Sequence, residues 1–342
     1  MAKSKSIRMK DIADRLGVSV STVSKAIKGS YDVSAKTREK VMKLVEELDF
    51  EPNKQAQSLL QNKSYTLGVV VPDLDNSFFG SIIRGIENIA YQNGYNLIIC
   101  QSHEDSVREL SDLKSLINHQ VDGLILALAS STKDLKYLES LKARNFPYVL
   151  IDRGNDDLGV SQVLVDDFTG GMNASKLLFE TGCLNVAHLA GPEKLINATE
   201  REEGYKQVCE DFGFDPLVVH CEFNEEKSFE KTLQLLQKHP EVDGIFAASD
   251  RIAVGAMQAV KSLGKSIPED VSVIGFSDLA YSKYLEPALT TISQPAGDMG
   301  EKAMKVLLET MKQSEDENVN LAEKFVYQTK LIIRNSTKEI IQ

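Results

Sequence analysis

Residues 9–27 read MKDIADRLGVSVSTVSKAI. Met9, Ile12, Ala13 and Leu16 fall at i, i+3, i+4 and i+7, which lays one apolar stripe along a helix. Gly17 follows, suited to the left-handed position that closes a helix. Ser19 offers an N-cap hydroxyl, and Val23 with Ile27 restarts the stripe. Two short helices joined by a three-to-four-residue turn containing glycine make the helix-turn-helix pattern, although the same stripes fit any small helical hairpin. The exposed face of the second helix favours the first reading. Val20, Ser21, Thr22, Ser24 and Lys25 are short or polar, and none is acidic. Short side chains let a helix enter a major groove, while hydroxyls and a lysine reach base edges or phosphates.

A third helix is expected from Ser34, an N-cap candidate, with Val41, Leu44, Val45 and Leu48 closing a small core. Lys36, Arg38, Lys40 and Lys43 lie on its outer face. After Pro52 the segment Asn53-Lys54-Gln55-Ala56-Gln57-Ser58-Leu59-Leu60 has only two large apolar residues. It is too short to be a stable helix alone in water. It reads either as a linker or as a helix that folds only against DNA, with a leucine free to wedge into a base step.

The charge pattern separates this head from the rest. The chain of 342 residues carries a net charge of -11, yet residues 1–65 hold 13 Lys/Arg against 8 Asp/Glu and the remainder 26 against 42. A small basic head on an acidic body is expected when one end meets phosphate. The length implies two or three domains. No run approaches the roughly 18–20 apolar residues of a membrane span. The N-terminal MAKSKSIRMKDIADRLG is basic and lacks the apolar core of a secretory signal, so the expected location is the cytoplasm. Four cysteines without CxxC spacing and five scattered histidines argue against disulfides and metal, and no cofactor is expected.

From Thr66 onward short apolar runs alternate with helical stretches. Leu67–Val71, Leu97–Cys100, Leu124–Leu128, Tyr148–Ile151, Val186–Leu189, Gly244–Ala247 and Val271–Ile274 read as buried strands, with helices such as Phe79–Asn93 and Gly170–Glu180 between them. The alternation predicts doubly wound, parallel α/β sheets. Val121-Asp122-Gly123-Leu124-Ile125-Leu126-Ala127 is echoed by Val242-Asp243-Gly244-Ile245-Phe246-Ala247-Ala248, which implies two similar lobes. A ligand then belongs in the cleft facing the strands' carboxyl ends. Asp73, Asn76, Asp152-Arg153, Asn197, Arg201, Ser249-Asp250 and Ser277-Asp278 all follow strands, with Phe78, Phe79 and Phe223 able to cover apolar sugar faces. Each residue taken alone fits a cap or turn equally well, and Asp73 and Asp250 read as structural.

Taken together, Asp11-Ile12-Ala13, Gly17–Lys25, Val33–Val41 and Pro52-Asn53 closely resemble the head of the LacI/GalR repressor family. The body resembles that family's effector module, itself similar to periplasmic sugar-binding proteins, through Pro72–Phe79, Val121–Leu126, His188–Pro192, Arg201 with Gly204-Tyr205, Ser249-Asp250, Ile267-Pro268, Val271–Asp278 and Leu289–Ile292. The resemblance implies that Ser19, Val20, Ser21, Thr22, Ser24 and Lys25 meet DNA, Val20 and Ser21 reading bases. It implies a hinge helix over 53–61 in which Asn53, Ala56 and Leu59 touch DNA and Leu59 is the minor-groove wedge. It further implies an effector site of Asn76, Phe78, Asp152, Asn197, Arg201, Phe223, Ser249 and Asp278. Two departures bear on the effector. Ser277 stands where several members carry a carboxylate, which leaves sugar-hydroxyl readout at that end open. Leu195 stands where purine-binding members use an arginine, which weakens the case for a nucleobase.

The expected architecture is a head at 1–52, a hinge at 53–64, and a two-lobed module at 65–342. Its N-lobe is expected at about 65–160 plus 292–322, and its C-lobe at about 161–291 plus 323–342. The expected function is a repressor: a homodimer on a near-palindromic operator, its grip set by a small sugar-like effector between the lobes. Helix Phe79–Asn93 and the helix around Gly300–Thr310 are candidate dimer surfaces. The alternative is a stand-alone carbohydrate-binding protein. An enzyme is not expected, since no GxGxxG after a strand, GxxxxGK[ST] or GxSxG occurs.

Overall fold

The computed structural model describes residues 7–27, 29–50, 63–193, 195–315 and 322–340. It divides into two compact units, Met1–Ser64 and Tyr65–Gln342. The expected hinge helix at 53–61 lies outside the described residues.

The head holds three helices, α1 (Met9–Leu16), α2 (Val20–Ile27) and α3 (Ala35–Glu47). Gly17 closes α1 with φ at 64°, a conformation open to glycine at little cost. The Ser34 hydroxyl accepts the Thr37 N–H at the start of α3. Ile12, Ala13, Val23, Ala26, Val33, Val41 and Phe50 form the core, with Leu44, Val45 and Leu48 packed against it. Arg38 is not a free surface cation. Its Nη2 donates to the carbonyls of Gly29 (3.1 Å) and Ser30 (2.5 Å), fastening the α2–α3 turn to α3.

The second unit contains two six-stranded sheets. The first lobe's sheet runs β2-β1-β3-β4-β5-β11, from β1 (Thr66–Val71), β2 (Asn96–Gln101), β3 (Gly123–Leu126), β4 (Tyr148–Ile151), β5 (Gln162–Val165) and β11 (Lys324–Tyr327). All its pairings are parallel. The second runs β7-β6-β8-β9-β10-β12, from β6 (Val186–Ala190), β7 (Leu217–His220), β8 (Gly244–Ala247), β9 (Ser272–Ser277), β10 (Thr290–Ser293) and β12 (Lys330–Ile332). Only its β10–β12 pairing is antiparallel. The strand order is the same in both, and the echoed segments become β3 and β8, the third strand of each lobe.

The strands read as apolar runs because both faces are covered. Leu67, Val69 and Val71 of β1 pack under α4 (Ser77–Gln92) and α11 (Ala296–Glu315), whereas Val70 faces the core under α5 (Ser106–Asn118) and α6 (Lys136–Ala143). Burying side chains such as Ile82 and Ile86 fully contributes about 1.5–3 kcal/mol each. The two helices expected as dimer surfaces, α4 and α11, pack on each other. A β-carbon on Gly85 would lie 2.1 Å from the Gly297 carbonyl oxygen, and one on Gly300 would lie 2.1 Å from that of Ile82. Their inner faces are thereby consumed, and only outer residues such as Tyr91, 78% exposed, remain for a partner.

The chain crosses between lobes at places other than those expected. β5 pairs with β4, so the first crossing follows Val165 rather than residue 160. β10 pairs with β9, which moves the second past Ser293. β11 returns to the first lobe beside β5, so the third falls between Tyr327 and Lys330 instead of at 322. Sheet membership is set by pairing with a distant strand, and these strands of three or four residues carry no local mark of it. In the second lobe, α7 (Asp167–Glu180) and α8 (Ile196–Phe212) pack as a pair, as do α9 (Glu225–Lys238) and α10 (Asp250–Ser262).

Candidate functional site

Seven of the eight residues expected at the effector site line one cavity between the lobes: Asn76, Phe78, Asp152, Asn197, Arg201, Phe223 and Ser249. Each is delivered by a strand end or a helix start. Asn76 caps α4, its Oδ1 accepting the Phe78 N–H at 3.0 Å, and Ser249 caps α10 by accepting from Ile252 at 3.3 Å. Phe78 meets Phe79 edge-on at 5.3 Å. Phe223 fits because Gly191 opposite has no side chain; a β-carbon there would stand 2.7 Å from its ring. Asp152 ends β4 with φ at 66°, a left-handed conformation costly outside glycine and common at functional sites.

Arg201 is buried and held on three sides. Its guanidinium lies 3.7 Å over the Phe276 ring, pairs with Asp167 at 2.7 Å, and donates from Nη1 to the Ala248 carbonyl at 2.7 Å. The fixed fork is suited to bidentate recognition of oxygens. Asp152 is held more loosely. Its nearest donors are Asn197 Nδ2 at 3.5 Å and Arg153 Nε at 3.6 Å. Burial pushes its carboxyl above the usual range, although Arg153 and Arg201 pull the other way.

The eighth residue, Asp278, is not in the cavity. Its carboxylate pairs with Arg334 at 2.7 Å. Ser277 and Leu279 line the cavity instead, at a turn where Ser277 (φ 114°) and Asp278 (φ 52°) leave extended geometry. Asp250 braces this turn, accepting from Leu279 N (2.7 Å), Ser282 Oγ (2.5 Å) and Thr291 Oγ1 (2.5 Å), which agrees with its structural reading.

Six lining residues stood outside the expected eight, Phe79, Arg153, Arg251, Ser277, Leu279 and Gln294, and of these Arg251, Leu279 and Gln294 had not been singled out in the sequence. Arg153 forks the Glu104 carboxylate with two 2.7 Å bonds and donates to the Leu128 carbonyl. Burial disfavours ionised Glu104, but Arg153 and the Ser130 N–H hold it below the usual range. The central cavity is narrow, about 40 Å³, and wider spaces of about 390 and 450 Å³ flank it; Arg153 borders all three. Gln294 follows β10 as the other polar residues follow their strands, and that position was the available signal.

In the head, the face expected to meet DNA is exposed along Val20, Ser21 and Lys25, with Ser24 half-buried beside them. Ser19 caps α2, accepting the Thr22 N–H at 3.0 Å and sharing a 2.8 Å bond with its hydroxyl. Lys25 pairs with Asp32 at 3.0 Å. Asn53, Ala56 and Leu59 lie outside the described residues. Among the described residues no cluster of three His, Cys, Asp or Glu could hold a metal ion, and no helix is long and apolar enough to cross a membrane.

A helix-turn-helix head joined to two doubly wound lobes around a polar cleft defines a ligand-responsive DNA-binding regulator. Comparison with known proteins gives the family. Residues 8–53 match "Bacterial regulatory proteins, lacI family", and residues 64–330 match "Periplasmic binding proteins and sugar binding domain of LacI family". The chain belongs to the LacI family. It is 34% identical to the ribose operon repressor of Halalkalibacterium halodurans over 96% of this chain and 97% of that one. Its fold is similar to the lac repressor dimer bound to operator and the anti-inducer ONPF (TM-score 0.86, 26% identity, 98% of this chain and 100% of that one). It is also similar to a LacI family regulator from Enterococcus faecalis V583 with bound ribose (TM-score 0.72, 31% identity, 81% of this chain and 100% of that one).

Proposed function

We propose that the protein is a cytoplasmic, homodimeric repressor that binds a near-palindromic operator and releases or tightens it when an uncharged, monosaccharide-sized sugar of the pentose class occupies the cleft. The observation that carries the ligand class is a set of buried polar atoms. Among the described residues Arg153 Nε, with Asp152 no nearer than 3.6 Å, Asn197 Oδ1 and Gln294 Nε2 are buried without a hydrogen-bond partner, and all three residues line the same cavity. Leaving such groups unpaired costs about 1–3 kcal/mol each, which a polyol presenting both donors and acceptors would recover.

The charges point the same way. Arg153 is matched by Glu104, Arg201 by Asp167, and Arg251 by Asp73 and Glu225. Asp152 adds a further carboxylate, so a phosphorylated sugar would meet an acidic surplus. Ribose, named for the relatives above, is the first compound to try. A stand-alone binding role is disfavoured by the regulatory head matched over residues 8–53. The relatives named above are regulators, and we assign no catalysis.

The test is calorimetric titration of the full chain with ribose, other pentoses, hexoses and ribose 5-phosphate, beside gel shifts on operator DNA. Saturable binding of a neutral sugar that changes operator affinity is expected. Preference for the phosphate, or sugar binding without effect on DNA, would overturn the reading.

A further inference from the structure

We infer that Arg251 is a clasp between the lobes, and that its bond to Asp73 sets how firmly the cleft stays closed on its effector. The inference rests on the reading of the cleft as the effector site. Arg251 is the second residue of α10, in the first turn, where the helix dipole disfavours a cation. Carboxylates compensate. Nε and Nη2 fork Glu225, the first residue of α9, at 2.7 and 2.9 Å. Gly255 makes this fork possible: a β-carbon there would lie 2.3 Å from the Glu225 carbonyl oxygen, so only glycine lets α9 and α10 approach so closely.

With Nε and Nη2 committed inside its own lobe, Nη1 reaches across to Asp73 Oδ2 at 2.5 Å, between residues 178 positions apart. Asp73 is set for it, its other oxygen accepting from Asp75 N (3.0 Å) and Gln101 Nε2 (3.4 Å). The Arg251 and Asp73 side chains are each 23% exposed, so water screens the pair only in part. Among the described residues two further bonds cross the cleft, Ala280 N to Ser77 Oγ at 3.3 Å and Asn197 to Asp152 at 3.5 Å. Both are longer, and neither joins opposite charges. Opening the lobes would leave Arg251 on Glu225 and strand Asp73, so the Asp73 bond is the one that makes and breaks.

Asp73 does not line the central cavity, but it borders the space of about 450 Å³ beside it and Arg251 lines both, so the lobe distances without sugar are what separate clasping from direct ligand contact. The experiment uses the full chain as Asp73→Asn, Arg251→Met and the double variant, with two readouts. The first is the lobe separation without sugar, from spin labels at exposed Lys133 and Lys231 changed to cysteine in a Cys100→Ser background. The parent should give one short, narrow distance, and all three variants the same longer, broader one. The second is ribose affinity by calorimetry. Each single variant should bind about 5- to 30-fold more weakly. Asp73→Asn should add nothing once Arg251 is Met. Affinity of the parent for this neutral sugar should also fall with added salt, and that of Asp73→Asn should not. Unchanged distances, or affinity losses that add in the double variant, would refute the clasp. If the parent binds no ribose, the effector reading fails, and the distances alone decide the clasp.

Discussion

Gly171 lies directly against the backbone of Arg201: a β-carbon on Gly171 would stand 2.4 Å from the Arg201 carbonyl oxygen and 2.9 Å from its Cα. The reciprocal contact is as close, since a β-carbon on Gly204 would lie 2.3 Å from the Phe168 carbonyl oxygen. The α7–α8 crossing therefore sets the position from which Arg201 enters the cleft. Gly171→Ala is expected to push the helices apart, destabilise the fold by about 1–3 kcal/mol, and weaken effector binding. Urea denaturation and calorimetry on one preparation would check both effects.

Arg201→Met should act more severely. It leaves Asp167, 2% exposed, buried without its partner, and breaking such a pair costs about 3–5 kcal/mol. Combining it with Asp167→Leu should restore much of the stability but not the response of operator binding to effector. A gel shift with and without sugar separates the two losses.

Asp250→Ala removes the acceptor for Leu279 N, Ser282 Oγ and Thr291 Oγ1. With three donors left buried, a loss of about 3 kcal/mol or more is expected. Proteolysis should then cut first near the 277–282 turn, and mass spectrometry of the early fragments would identify the site.

His188 makes stability depend on pH. Its ring stacks on Phe246 at 4.4 Å, Nδ1 bonds the Phe246 carbonyl at 2.9 Å, and burial pushes its pKa down to about 3. In the unfolded chain it takes a proton near the ordinary value of about 6.5. Its contribution is therefore intact above about pH 6.5 and declines as pH falls toward 3, because only the unfolded state binds the proton. The loss should reach about 2 kcal/mol by about pH 5. His188→Phe should flatten this slope in denaturation curves at neutral and acid pH.

For DNA, Lys25→Ala should weaken operator and non-operator binding alike and lower the salt dependence by about one counterion. Asp32→Asn, which frees Lys25 from its 3.0 Å partner, should strengthen both. Changes at Val20 or Ser21 should instead alter base preference, by about 1–3 kcal/mol per affected contact. Leu59→Ala should reduce operator affinity if Leu59 is the wedge. Titrations at several salt concentrations on specific and random duplexes distinguish these outcomes.

The architecture was legible wherever local chemistry repeats. Met9, Ile12, Ala13 and Leu16 mark a helix by spacing, and β1 or β8 marks itself by burying both faces. The cleft residues followed from their position after strands. What escaped depends on partners far along the chain. Arg251 looks like any residue in a first helical turn until Asp73 is placed beside it. Asp278 was misread because the resemblance placed it in the site by position, whereas its carboxylate is held outside the cavity by Arg334, 56 positions further along the chain. Strands β5, β10 and β11 are too short to announce the lobe they join.

The late return of β11 to the first lobe bears on how the protein is made. Glu323, just before β11, bonds its backbone N–H to Ser161 Oγ across 162 positions, so that sheet's last edge forms only after the second lobe's strands up to β10 have been made. The three-helix head is a separate unit with a core of its own, and it precedes both lobes along the chain. During translation the nascent chain therefore carries a folded helix-turn-helix before either lobe exists to govern it.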